Sequence, residues 1–183
     1  MGNGVSAISV RRAMPTDAVA IGEVHVAAWR STYPGILPEA YLARLSPVRE
    51  AAHYAAAIRG DAGVFVAIGG DPKRVVGFAS TGLGRKDAPA EGEIETLYVL
   101  DDFRDHGAGR RLMARAAAHL AGLGCGSAYL WVLDRNPSRW FYAHLGGKPT
   151  LTKTVGWAGV TLEQTAYVWQ PIDLLFGSCS NPA

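Results

Sequence analysis

Two runs of β-forming residues, Val64-Phe65-Val66-Ala67-Ile68 and Val75-Val76-Gly77-Phe78-Ala79-Ser80, flank the turn Gly69-Gly70-Asp71-Pro72. A link that short joins neighbouring strands running in opposite directions. Further on, an Ala- and Leu-rich helical stretch over 107–123 lies between strand candidates at 94–100 and 128–133. A chain that mixes hairpins with βα units cannot be a doubly wound sheet of parallel strands. Residues 8–12 read as a further short strand. Pro15-Thr16-Asp17 opens a helix, with Thr16 as its cap and Asp17 favourable in the first turn. Ile21, Val24 and Ala28 then recur at helical spacing, and the helix ends near Trp29. Two prolines and a glycine make 31–38 a loop, after which 39–45 and 48–58 read as short helices. A helix over 138–145 and strands over 151–155 and 161–169 follow. Neither repeat nor linker interrupts residues 8–176, so one domain is expected there, with flexible termini at 1–7 and 177–183.

Composition narrows the class. A chain of 183 residues that is 49% hydrophobic can bury a core without disulfides or metal. It has no apolar run long enough to span a membrane. Two cysteines, Cys125 and Cys179, are too few for a disulfide scaffold or a four-thiolate zinc site. A net charge of +2 gives no reason to expect a nucleic-acid partner. The 18 basic residues divide into 14 Arg and 4 Lys. Arginine suits bidentate anion recognition, but a genome rich in Arg, Ala and Gly codons gives the same bias. Met1-Gly2-Asn3-Gly4-Val5-Ser6 fits the loose myristoylation pattern, yet no polybasic segment supports it and the stretch is read as a frayed end. No secretory h-region is visible, so the cytoplasm is the expected compartment.

The informative segment runs from Glu93 to Met113. A strand ends, a turn follows, and a helix opens on Gly107-Ala108-Gly109. The first turn of a helix leaves several N–H groups unpaired, and its dipole adds roughly half a positive charge there. Glycines let a ligand approach the backbone, so this is a nest for phosphate or pyrophosphate. Arg104, Arg110 and Arg111 add formal charge around it. The spacing is neither that of a Walker A loop nor of the dinucleotide fingerprint, because position 112 is Leu.

Two blocks resemble the GCN5-related N-acetyltransferase superfamily. Arg104-Asp105-His106-Gly107-Ala108-Gly109 matches its Arg/Gln-x-x-Gly-x-Gly/Ala pattern, preceded by the typical strand Glu95-Thr96-Leu97-Tyr98-Val99. Leu130-Trp131-Val132-Leu133 and Asn136, with Phe141-Tyr142-Ala143-His144-Leu145-Gly146, match the second block. The spacing from Asn136 to Tyr142 is one residue shorter than the commonest one, and Ala143 stands where Glu is usual. Trp29-Arg30-x-x-Tyr33-x-Gly35-x-x-Pro38 looks like a bacterial branch. The resemblance covers about residues 8–170. It implies an α+β fold of three α/β/α layers, with a mixed, mostly antiparallel seven-stranded sheet of the acyl-coenzyme A N-acyltransferase type.

The resemblance further implies acetyl-coenzyme A as donor, with no metal. A bulge in the fourth strand would splay it from the fifth and admit the pantetheine arm. Leu97, Tyr98 and Val99 would bond to that arm, and the amides of Arg104, Asp105, His106, Gly107, Ala108, Gly109 and Arg110 would hold the pyrophosphate. Asn136 and Tyr142 would sit by the thioester sulfur, with Tyr142 as the acid that protonates the departing thiolate. Glu93 and Glu95, two apart on one strand, project to one face. They are candidates for the base that an ammonium of pKa ~10 requires, or else a solvated acidic pair. Trp29, Tyr33 and Trp157 line an acceptor pocket or are simply core, and core is favoured for Trp157.

Other chemistry is less supported. The five histidines show no ligand spacing, Cys125 reads as structural, and no Gly-x-Ser-x-Gly occurs. The expected activity is direct acetyl transfer to a primary amine of a small molecule or peptide. The alternatives are a non-catalytic acyl-coenzyme A sensor or interaction module and an enzyme using another acyl donor. Family members often dimerise, and residues 161–169 are the expected interface of a homodimer. Neither a nucleic acid nor a membrane is an expected partner.

Overall fold

The computed structural model describes residues 7–176. The myristoylation pattern, Cys179 and both expected flexible ends except Ala7 lie outside the described residues. The strands are β1 (Ser9–Arg12), β2 (Gly63–Gly69), β3 (Arg74–Leu83), β4 (Gly92–Val99), β5 (Ala128–Leu133), β6 (Lys148–Trp157) and β7 (Val160–Trp169). The helices are α1 (Ala18–Thr32), α2 (Glu39–Ala43), α3 (Pro47–Arg59), α4 (Ala108–Gly122) and α5 (Arg139–His144). One mixed sheet runs β1-β2-β3-β4-β5-β7-β6, antiparallel except for β4 with β5. This is the expected α+β architecture.

The sheet separates two apolar layers. On one face, Ile21 and Val24 of α1 and Tyr54 of α3 pack on Val64, Val66 and Phe78. On the other, Leu112, Met113, Ala116 and Leu120 make a fully buried stripe along α4. Burying one such Leu or Met side chain contributes about 1.5–3 kcal/mol, so α4 is anchored by its stripe and its N-terminus is held in a fixed place.

Local corrections have clear causes. Thr16 does not cap the first helix. A single 3₁₀ turn over Pro15–Asp17 precedes α1, and Asp17 accepts a hydrogen bond from the Met14 N–H at 2.7 Å. Asp17 also takes both arms of the Arg11 guanidinium, at 2.7 and 2.9 Å, which fixes β1 to the helix start. α1 runs on to Thr32, three residues past Trp29. Residues 161–169, where an interface was expected, lie in β7, an interior strand of the sheet whose Trp169 ring is fully buried.

Candidate active site

The site begins with an irregularity in β4. Ser80 on β3 opposes Thr96, but the next residue, Thr81, opposes Ile94, which leaves Glu95 as a bulge. A bulge sharpens the local twist of a strand. β4 accordingly pairs with β5 only at Gly92–Ala128 and Glu93–Tyr129. Beyond that point the two strands part, and a cavity of about 810 Å³ opens between them. Glu93–Val99 form one wall and Leu130–Leu133 the other, with Asn136 and Tyr142 also lining it.

The cavity leads to the start of α4. Gly107 caps this helix with φ +80°, a left-handed conformation that only glycine adopts freely. The first helical hydrogen bond runs from Arg111 N–H to the Gly107 carbonyl at 3.1 Å, so the amides ahead of it have no helical carbonyl to reach. Gly109 is required for a different reason. A Cβ there would stand 3.1 Å from Phe141 Cζ, so its absence lets α4 and α5 meet closely. The Arg104 guanidinium pairs with Asp101 at 2.8 Å and donates to Thr32 Oγ1 at 3.2 Å. Asp105 and Arg110 line the cavity as well. His106 does not, and its Nδ1 lies 2.6 Å from the Arg104 carbonyl. Ala108 is buried with Leu112. Arg111, counted among the arginines of the nest, reaches back to the Ile8 carbonyl instead.

Tyr142 is buried at the α5 side of the cavity. Burial, reinforced by the nearby Tyr33, raises its phenol well above the ordinary tyrosine range, so it holds its proton at neutral pH. Asn136 Oδ1 accepts from the Ser138 N–H at 2.9 Å, and its Nδ2 donates to Tyr33 Oη at 3.4 Å. The Asn136 side chain thus braces the turn into α5 while standing in the cavity wall. Across the gap, Glu93 accepts from the Tyr129 phenol at 2.7 Å and Glu95 from Ser80 Oγ at 3.3 Å. Both carboxylates line the cavity.

Tyr33 and Trp157 are lining residues, whereas Trp29 is not. The Trp29 ring is buried behind them, 4.9 Å from Tyr33 and 5.1 Å from Trp157 by ring centroid. Trp157 is half-buried, not core as expected, and its Nε1 donates to Tyr41 Oη at 3.1 Å. Gln164 also lines the cavity and was not singled out from sequence. Its only signal is period-two alternation on a strand whose pairing with Leu133 is a long-range fact. Among the described residues, no group of three His, Cys, Asp or Glu side chains could hold a metal, and no helix is long and apolar enough to cross a membrane.

The split strands and the glycine-capped helix match a known pattern. The model of the acetyltransferase (GNAT) family matches residues 25–146. The chain belongs to the GNAT acetyltransferase family. It is 35% identical over 170 residues to a Bacillus subtilis protein named uncharacterized N-acetyltransferase YuaI, covering 92% of this chain and 96% of that one. The fold is also that of yncA, a putative acetyltransferase from Salmonella typhimurium solved with acetyl-coenzyme A. There the TM-score is 0.68 and the identity 23%, over 90% of this chain and 94% of that one. The paiA N-acetyltransferase from Thermoplasma acidophilum, solved with coenzyme A, aligns with a TM-score of 0.63 at 18% identity, over 86% and 97% of the two chains. GNAT membership makes the protein an N-acetyltransferase.

Proposed function

We propose that the protein moves an acetyl group from acetyl-coenzyme A directly to a primary amine of a small molecule or peptide in the cytoplasm. The observation that carries this reading is the β4–β5 gap running into the amide nest of α4. An extended arm in the gap meets the backbone of Leu97, Tyr98 and Val99 along an edge that lacks a strand partner on the β5 side, and can bond there as an added strand does. The amides from Arg104 to Arg110 suit a pyrophosphate, because unpaired N–H groups and the helix dipole both favour negative charge. The residues present therefore fit the donor.

The remaining roles belong to the side chains at the junction of the gap. Glu93 and Glu95 are the candidate bases for the acceptor ammonium, which at neutral pH must lose a proton before it can attack. Tyr142 keeps its proton and faces the cavity, so it can donate to the departing thiolate. Asn136 positions Tyr33, and Tyr33 with Trp157 forms the aromatic part of the acceptor wall, backed by Trp29.

Isothermal titration with acetyl-coenzyme A tests the donor assignment. Binding with a Kd of roughly tens of micromolar or tighter is expected, and no heat at that concentration would sink the reading. Thiol release is then measured over a panel of polyamine, aminoglycoside, amino acid, peptide N-terminus and peptide lysine. Binding without release on any amine would mark a non-catalytic acyl-coenzyme A module. Faster release from succinyl- or propionyl-coenzyme A would correct the acyl group.

A further inference from the structure

Of the four lysines in the chain, Lys153 turns its charge toward the cavity wall. It stands on β6, an edge strand, within the exposed run from Lys148 to Thr154. Its register partner on β7 is Gln164, whose own partner on β5 is Leu133, and both of these line the cavity. The Lys153 side chain does not stop at the neighbouring strand. It crosses β7 and sets Nζ 3.9 Å from the ring centroid of Trp131 on β5. Stem and ring together bridge two strand spacings, about 10 Å. Ala166, which opposes Trp131 on the strand between, is small and leaves that path open.

Trp131 is itself a lining residue, and β5 borders the gap, so the ammonium is seated on the cavity wall. Trp157, four residues along β6 and on the same face as Lys153, belongs to the acceptor wall. The Tyr129 ring meets Trp131 edge-on at 6.4 Å, and the Tyr129 phenol donates to Glu93 at 2.7 Å. Glu95 lines the same cavity. An ammonium, an aromatic platform and two carboxylates thus stand around one space. A surface lysine is strongly hydrated and ordinarily keeps its head in water. Among the described residues no carboxylate forms an ion pair with Lys153 that would explain its direction. The face of a tryptophan attracts a cation, and this one holds the kind of group on which an N-acetyltransferase acts.

We propose that Lys153 is an acceptor built into the chain, seated against the acceptor wall and acetylated on Nζ in cis. The proposal rests on the acetyltransfer reading above. The ammonium first gives one proton to a cavity carboxylate, Glu93 or Glu95, which passes it to water. The Nζ lone pair then attacks the thioester carbonyl carbon, so that a C–N bond forms and the C–S bond breaks. The departing thiolate takes the Tyr142 phenol proton, and the second proton lost by Nζ restores the phenol. The lysine amine becomes a neutral amide, coenzyme A leaves as the thiol, and nothing is oxidised or reduced.

The modification changes the acceptor wall. An amide carries no charge, so the cation leaves Trp131 and an amine from solution meets an open aromatic face. Until then Lys153 competes with every free amine, and with an advantage, because the chain itself holds it close. Lys73 in the turn between β2 and β3, Lys86 in the loop before β4 and Lys148 at the head of β6 are also exposed. None of them makes a charge–ring contact with the cavity wall, so they serve as internal controls for purely chemical acetylation.

The test is to incubate the unaltered protein with acetyl-coenzyme A at neutral pH, without amine, and to map acetyl groups by peptide mass spectrometry. One acetyl group per chain is expected, on Lys153, at a rate per chain that does not change with protein concentration. Tyr142→Phe should slow this modification on the order of a hundredfold, the worth of a positioned acid. A second readout needs no donor. n-Butylamine, the Lys153 head by itself, is titrated into the donor-free protein and into Lys153→Ala, followed by tryptophan fluorescence. Vacating Trp131 should tighten binding about two- to fivefold, the range that an exposed cation–π contact is worth. Equal acetylation of all four lysines, a rate that rises with protein concentration, or a Lys153→Ala protein that binds n-butylamine no more tightly overturns the proposal. If panel amines are acetylated while Lys153 stays unmodified, the internal acceptor falls and acetyltransfer stands. If neither Lys153 nor any amine is acetylated, both fall.

Discussion

Replacing Gly107 separates two ways in which the amide nest can depend on glycine. The residue sits at φ +80° and ψ 1°, and a Cβ built there meets nothing nearer than Arg111 Nε at 3.9 Å. An alanine therefore meets no clash within the protein, and its cost is the left-handed backbone alone, about 1–2 kcal/mol. In a chain of this size each kcal/mol lowers Tm by roughly 2–4 °C. The strain is relieved by turning the Gly107 peptide, which re-aims the amides ahead of α4. Gly107→Ala should thus lose stability and also bind acetyl-coenzyme A more weakly, by roughly tenfold for about 1.4 kcal/mol. Asparagine tolerates the left-handed region better than alanine, so Gly107→Asn should recover much of both losses despite its larger side chain. Thermal denaturation and isothermal titration on the three proteins decide the matter. Weakened binding in both variants, graded by side-chain size and without any change in Tm, would refute the strain argument and mean that the side chain collides with the ligand.

Two further outcomes follow from buried titratable groups. Tyr142→Phe should leave donor affinity nearly intact and lower kcat by about 10² or more, the usual worth of a positioned acid; equal turnover in steady-state assays removes Tyr142 from that role. His25 has a folded pKa of about 4 against an unfolded value of about 6.5, so the unfolded chain binds the extra proton between these values. Stability is therefore fully present above pH ~6.5 and is lost as pH falls toward 4, by about 3 kcal/mol from this group. Thermal unfolding of His25→Asn across that range should show a shallower slope, and an unchanged slope would contradict the assignment.

Much of the fold could be read before the structure, because its signals are local. The Gly69-Gly70-Asp71-Pro72 hairpin, the apolar stripe of α4 and the glycine at its cap each act within a few residues. The parts that sequence reading missed depend on where a side chain turns. Arg111 shares the helix start with Arg110, but one arm of its guanidinium is held by the Ile8 carbonyl just ahead of β1. Trp29 and Trp157 exchange the roles expected of them, because α1 buries one beneath the other and nothing in their spacing reveals that order. Thr16 lies inside a 3₁₀ turn, and the Asp17 carboxylate is held by Arg11 on the preceding strand and by the Met14 N–H, so neither side chain caps α1.

The bulge at Glu95 joins these threads. Strict alternation along β4 predicts that Glu93 and Glu95 share a face, and both do line the cavity. Alternation also predicts that Ile94 and Leu97, three apart, point to opposite faces. Both instead pack on the α4 side with Met113 and Leu120. The inserted residue resolves the conflict, and the apolar spacing of three followed by two, from Ile94 through Leu97 to Val99, was its trace in the sequence. The insertion has two consequences at once. It turns β4 away from β5, which opens the gap, and it sets Thr96 opposite Ser80 beside the Glu95 carboxylate. In an unbroken strand that kept Leu97 on the α4 side, the residue now numbered 95 would be missing, and with it the carboxylate and the gap. One extra residue in one strand thus couples the opening of the donor site to the placing of a carboxylate in its wall.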